Sequence, residues 1–112
     1  MDIKQTNLAF ILLFTAALME AGGDALVRLG LHASTAMLRV VLFLAGAVVL
    51  FAYGYVVNAQ AWDFGRLLGV YVVFFFVVAQ ALAWIVFNQR PSTPVVIGGA
   101  FIVAGGIIIS YS

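Results

Sequence analysis

The chain is poor in the residues most reactions depend on. It has no cysteine, which excludes disulfides, thiolate metal sites and cysteine nucleophiles. His32 is the single histidine, so pairings of a base with a nucleophile and imidazole metal sites are restricted. Charge is scarce as well: 8% of 112 residues, where a soluble domain carries about 25%. A soluble globular protein is thereby ruled out. Five Lys plus Arg against four Asp plus Glu leave a formal net charge of +1, too little basic field to hold a phosphate backbone, so nucleic acid is not an expected partner. The sequence contains no G-x-x-x-x-G-K-[ST], G-x-G-x-x-G, H-E-x-x-H or G-x-S-x-G, the usual signatures of phosphate cradles, zinc hydrolases and serine nucleophiles. The expectation is a protein that is not an enzyme and holds no cofactor or metal.

What is abundant is apolar surface: 66% of residues are hydrophobic and the mean hydropathy is +1.22. A bilayer core about 30 Å thick takes roughly 20 apolar residues per helix, so a chain of this length has room for about four spans. Apolar runs cover about residues 7–29, 35–57, 67–87 and 94–111, forming a single transmembrane domain over 1–112. Asn58 to Arg66 separates the second run from the third, and Asn88 to Pro94, with both prolines, separates the third from the fourth. Pro94 suits the first turn of a helix, where its missing N–H costs nothing. Helices are required because four short segments cannot close a barrel, and an open sheet edge is not tolerated in lipid. The start of the chain has some features of a signal peptide, with Lys4 ahead of an apolar run and Ala16-Ala17 after it. Glu20, Asp24 and the continuing apolar pattern fit a retained span better.

Lys and Arg in short loops set orientation. Lys4 and Arg66 lie on one side and Arg28, Arg39 and Arg90 on the other, two against three. So small a bias permits insertion both ways and an antiparallel homodimer from one gene; it also permits a single topology fixed by one residue.

Glu20 is the most informative position. An ionisable group near the middle of a span is costly and normally faces a bundle interior or a wet cavity. A carboxyl there can hold a proton or a cation but not both, which is the minimum machinery of proton-coupled exchange. The bland alternative is a protonated glutamate that hydrogen-bonds between helices and only holds them together. Asp24 and Arg28 follow at successive steps of four, on the same helix face. The preferred reading pairs Asp24 with Arg28; the sharper one makes Asp24 a second cation ligand, suited to a dication or polyamine. Gly22 and Gly23 allow close helix approach or a bend beside Glu20. Arg39 and Arg90 read as interfacial anchors.

The third run holds Tyr71, Phe74, Phe75, Phe76, Gln80 and Trp84. Aromatic faces can hold an organic cation, yet a Phe run is more commonly lipid-facing. Tyr71 and Gln80 are therefore the better site candidates, each carrying a polar group that has to find a partner. Trp62 and Trp84 read as interfacial belt residues. In the fourth run Gly98 and Gly105, and likewise Gly99 and Gly106, recur at seven. A smooth stripe of that kind is a packing surface and an expected oligomer contact.

These residues resemble the small multidrug resistance family of four-helix bacterial exporters. Glu20, Gly23 and Arg28 are similar to its first-helix pattern of a glutamate, a glycine three later and a basic residue eight later. Gln89-Arg90, Pro94, Gly98 and Gly105 stand in the register of its carboxyl-terminal pattern. The resemblance implies that Glu20 binds both proton and substrate, that the unit is an antiparallel homodimer, and that the Gly98 and Gly105 stripe forms its contact. The third helix departs from the pattern: the family's substrate-facing tryptophan falls on Tyr71, its preceding tyrosine on Leu68, and its opening proline has no counterpart, although Gly65 is in place. Asp24 replaces a small or neutral polar residue. The family's aromatic-cation or guanidinium specificity is not carried over with these changes. Gly65-Arg66 and Gly69-Val70-Tyr71-Val72 look like the related YnfA-type small membrane proteins.

The sequence thus leads to an all-α, multi-pass protein of the bacterial inner membrane, with lipid around it and a second copy or a paralogous subunit as partner. Its expected activity is proton-gradient-driven export of a small organic cation through Glu20, with Tyr71 and Gln80 on the substrate side. The alternatives are a flippase subunit for a lipid-linked sugar or other amphiphile, an uncoupled ion channel, and a scaffold that transports nothing.

Overall fold

The computed structural model describes residues 3–112 as four helices, α1 Ile3–Leu31, α2 Ala36–Asn58, α3 Phe64–Phe87 and α4 Thr93–Ser110. All four are long and apolar enough to cross a membrane; α4 is the shortest at 18 residues, within the range of about 17–25 that a span takes. α1 begins ahead of its apolar run because backbone hydrogen bonds continue through polar residues at the interface, where side chains can reach water.

Local chemistry sets the ends. Thr35 caps α2, its hydroxyl accepting from the Leu38 N–H at 3.1 Å, which satisfies one of the free donors of a first turn. The Arg39 Nε donates to the Gly30 carbonyl at 3.3 Å, so this arginine ties the first turn of α2 to the end of α1. α3 stops at Asn88, which adopts a left-handed conformation with φ 55°. Asparagine tolerates that region better than most residues, and the Gln89 N–H then closes back on the Ala83 carbonyl at 2.9 Å. Pro94 falls in the first turn of α4.

The helices lie in the spatial order α2, α1, α3, α4: α1 packs on α2 and α3, and α4 packs on α3. α2 and α4 form no packed pair that would close the row into a ring. Small residues allow the closest approaches. A methyl group added at Gly23 would meet Leu50 Cγ at 2.7 Å and the Gly46 carbonyl at 3.4 Å, so α1 and α2 touch almost backbone to backbone. The two glycine stripes of α4 have different surroundings. Gly99 and Gly106 are buried against Phe76 and Val73 of α3, whereas Gly98 and Gly105 meet nothing within 4 Å. The Gly99 and Gly106 stripe, expected as an oligomer contact, is instead the seat of α3 within one chain. Adjacent helical residues differ by about 100° in direction, which is enough to separate the stripes. The main core, around Leu13, Ala17, Val57, Leu67 and Tyr71, sits between α1, the second half of α2 and α3.

Candidate functional site

Glu20 lies on α1 about one turn after the buried pair Ala16 and Ala17 and directly before buried Ala21. Alanines on that face bring α3 close, and Tyr71, only 4% exposed, meets the carboxylate there. Its hydroxyl donates to Glu20 Oε1 at 2.8 Å. A buried tyrosine hydroxyl needs a partner, and a half-buried carboxyl in an apolar helix needs a donor. Each supplies the other's requirement.

The Tyr71 ring is flanked on two sides. Tyr53 of α2 stacks on it with centroids 5.6 Å apart and planes at 27°. Phe75, one turn further along α3, lies tilted at 6.3 Å. The Tyr53 hydroxyl is within interaction range of Glu20 and Asp24. Three helices therefore contribute to one constellation: a carboxyl group, two phenol groups and a wall of aromatic faces. Such a set brings one ionisable carboxyl group and two phenol hydroxyls together among aromatic rings. Ring quadrupoles attract organic cations by about 2 kcal/mol or more where water is excluded.

Next to the constellation, and sharing Phe75 with it, a groove of about 240 Å³ lies between α1 and α3, floored by Ala21, Ala25, Ala79 and Ala83 and bearing Asp24, Arg28 and Gln89. Asp24 is exposed in this groove and close enough to Glu20 for Coulombic interaction. The Asp24–Arg28 ion pair expected from their spacing is not formed. Arg28 instead reaches across to α3 and lies over the Phe87 ring, 5.3 Å from its centroid. An exposed pair at this spacing is worth only about 0.2–0.5 kcal/mol, and a cation–π contact of about 0.5–1 kcal/mol is sufficient to redirect the guanidinium. The Asp24 carboxyl group is left facing the groove.

Gln80 also departs from the expectation. Nine residues after Tyr71, at about 100° per residue, it points to the opposite side of α3. There it lines a cavity with Phe76, Pro91, Val95 and Gly99 on the α4 side, away from Glu20. Phe75, set aside with its neighbours as lipid-facing, does belong to the constellation. Tyr53 is not singled out by the sequence; its one signal is a phenol hydroxyl near the end of an apolar run, which Tyr55 shares. Gly23 takes part indirectly, by seating α2 close enough for Tyr53 to reach. Among the described residues, no group of three His, Cys, Asp or Glu is arranged to hold a metal ion.

Residues 6–112 match the family described as "Uncharacterised BCR, YnfA/UPF0060 family". This chain belongs to the YnfA/UPF0060 family. Relatives agree over nearly full length. A UPF0060 membrane protein of Herpetosiphon aurantiacus is 32% identical over 105 residues, 92% of this chain and 93% of the relative. A UPF0060 membrane protein of Clostridium beijerinckii is 32% identical over 114 residues, 100% of this chain and 97% of the relative. No solved structure matches the chain. Together with the four apolar helices, these relatives identify a multi-pass membrane protein of the YnfA/UPF0060 family. Of the two resemblances in the sequence, the YnfA-type one is therefore the family itself. The small multidrug resistance motifs remain a resemblance.

Proposed function

We propose that this YnfA/UPF0060 protein is a proton-coupled antiporter that exports small organic cations across the bacterial inner membrane, and that it works as an antiparallel homodimer. The observation that carries this reading is the Tyr71 hydroxyl on Glu20 at 2.8 Å inside an aromatic wall. One carboxyl that accepts a single positive charge makes proton and cation mutually exclusive, and mutual exclusion is what couples their movements. Asp24, which forms no ion pair with Arg28 and lines the adjoining groove, supplies a second carboxyl group for substrates with a second amine. The resemblance to small multidrug resistance exporters, through Glu20, Gly23, Arg28 and the Arg90-to-Gly105 register, supports the same role for Glu20.

Dimerisation is supported by the open row of helices. α2 and α4 do not close it, and the Gly98 and Gly105 stripe of α4 is uncovered. Small stripes of this kind drive helix association in lipid. The near balance of Lys and Arg permits membrane insertion in both orientations.

A second reading, a flippase subunit for an amphiphile, draws on the groove between α1 and α3, which is open along its side and carries one acid and one base. It requires no proton exchange. The deciding experiment is transport current from purified protein in liposomes under an imposed pH gradient, with a panel of monocations and polyamines. The antiporter reading expects a substrate-dependent current that reverses with the gradient and vanishes in a folded Glu20→Gln variant. Equal currents from both proteins, or none from either while a lipid probe crosses, would transfer the assignment to the flippase.

A further inference from the structure

The end of the protein that carries the start of α1, the α2–α3 connection and the end of α4 holds a second polar cavity, of about 430 Å³. Glu20, Tyr71 and Tyr53 are not among the residues that line it. Thr6, Trp62, Arg66, Ser110 and Tyr111 line it. Arg66 is held in place by two contacts. Its Nη2 donates to the Ser110 carbonyl at 2.8 Å, and its guanidinium stacks on Trp62 at 4.6 Å.

Those contacts leave donors over. Arg66 Nε and Trp62 Nε1 are both buried without a hydrogen-bond partner. No carboxylate among the described residues pairs with Arg66. Buried donors normally have partners, and a fixed guanidinium with spare N–H groups matches the oxygens of a phosphate. The counterpart at the other end of α3 differs: Arg90 also stacks on a tryptophan, Trp84, at 5.1 Å, but both are exposed and neither has a buried unpaired donor. The first pair is therefore a built pocket and the second an interfacial anchor.

Depth in the membrane selects the source of the phosphate. The cavity is made at helix ends and rimmed by Trp62 and Tyr111, residue types that sit at headgroup level. We infer that the Trp62–Arg66 cavity binds the headgroup phosphate of an anionic phospholipid, tying the start of α3 to the end of α4 through that lipid.

The test is native mass spectrometry of the purified full chain titrated with phosphatidylglycerol and with diacylglycerol of the same acyl chains, which lacks the phosphate. Wild type should retain phosphatidylglycerol at least about tenfold more tightly than diacylglycerol, the scale of one or two charge-assisted hydrogen bonds. Trp62→Phe, which keeps a ring under Arg66 and leaves its bond to Ser110, should lose most of that preference, and Arg66→Ala all of it. Trp84→Phe should keep it. Equal retention of the two lipids by wild type, or an undiminished preference in Trp62→Phe, would overturn the proposal. Millimolar inorganic phosphate supplies the other arm. If it raises the thermal stability of delipidated protein as much as phosphatidylglycerol does, the phosphate chemistry stands and the lipid is overturned as its source.

Discussion

The two faces of α3 do different work with similar residues. Towards α1 and α2 the helix presents Tyr71 and Phe75, and the contact is chemical: a phenol hydroxyl on Glu20 and a stack with Tyr53. Towards α4 it presents Val73 and Phe76, and the contact is steric: side chains seated on the backbone of Gly106 and Gly99. Both faces are aromatic or β-branched, so composition does not tell them apart. The partner helix does. α1 offers a carboxyl group where α4 offers bare backbone, and the same helix is thereby a wall of the site on one side and a scaffold on the other.

This division predicts graded effects. Glu20→Gln removes the carboxyl that accepts from Tyr71 and should reduce pH-gradient-driven cation flux to that of empty liposomes, with an unchanged helical circular dichroism spectrum. Tyr71→Phe keeps the ring and deletes the hydrogen bond. A bond to an ionised group is worth about 1.5–3 kcal/mol, so apparent cation affinity in the same assay should fall by roughly tenfold or more. Gly106→Ala acts on the steric face. Its methyl group would press into Val73, and overpacking costs about 1–3 kcal/mol, visible as a lower midpoint in denaturant titration in detergent, while flux per folded molecule changes little. Gln80→Ala, on the α4 side, should leave cation affinity within about twofold, the usual range for a substitution away from the site. A large loss of transport in Gln80→Ala with normal stability would break the comparison.

How far the sequence discloses this arrangement depends on whether a property is local. Glu20 stands out because a carboxyl in an apolar run is costly wherever the helix turns, and Tyr71 because its hydroxyl needs a partner. The four helices follow from apolar length and from capping residues such as Thr35 and Pro94. Rotation and partnership are not local. Gln80 attracts attention by polarity alone, but only its angular offset from Tyr71, set against a known neighbour, shows that it faces α4. The spacing of Asp24 and Arg28 offers an ion pair, and Phe87, distant in sequence, diverts the arginine. The seven-residue glycine repeats mark two stripes, and only the position of α3 separates the one already covered from the one still open. Tyr53 is hidden for the same reason: its importance arises from the ring it stacks on.

The central claim is that proton and cation compete for Glu20. It is tested most directly by adding a quaternary ammonium cation, which has no exchangeable proton of its own, to weakly buffered, detergent-solubilised protein while bound cation and pH are followed together. The account predicts proton release in step with binding in the wild type, and neither binding nor release in a folded Glu20→Gln variant. Cation binding by the wild type with no proton release, or release that persists in Glu20→Gln, would contradict it.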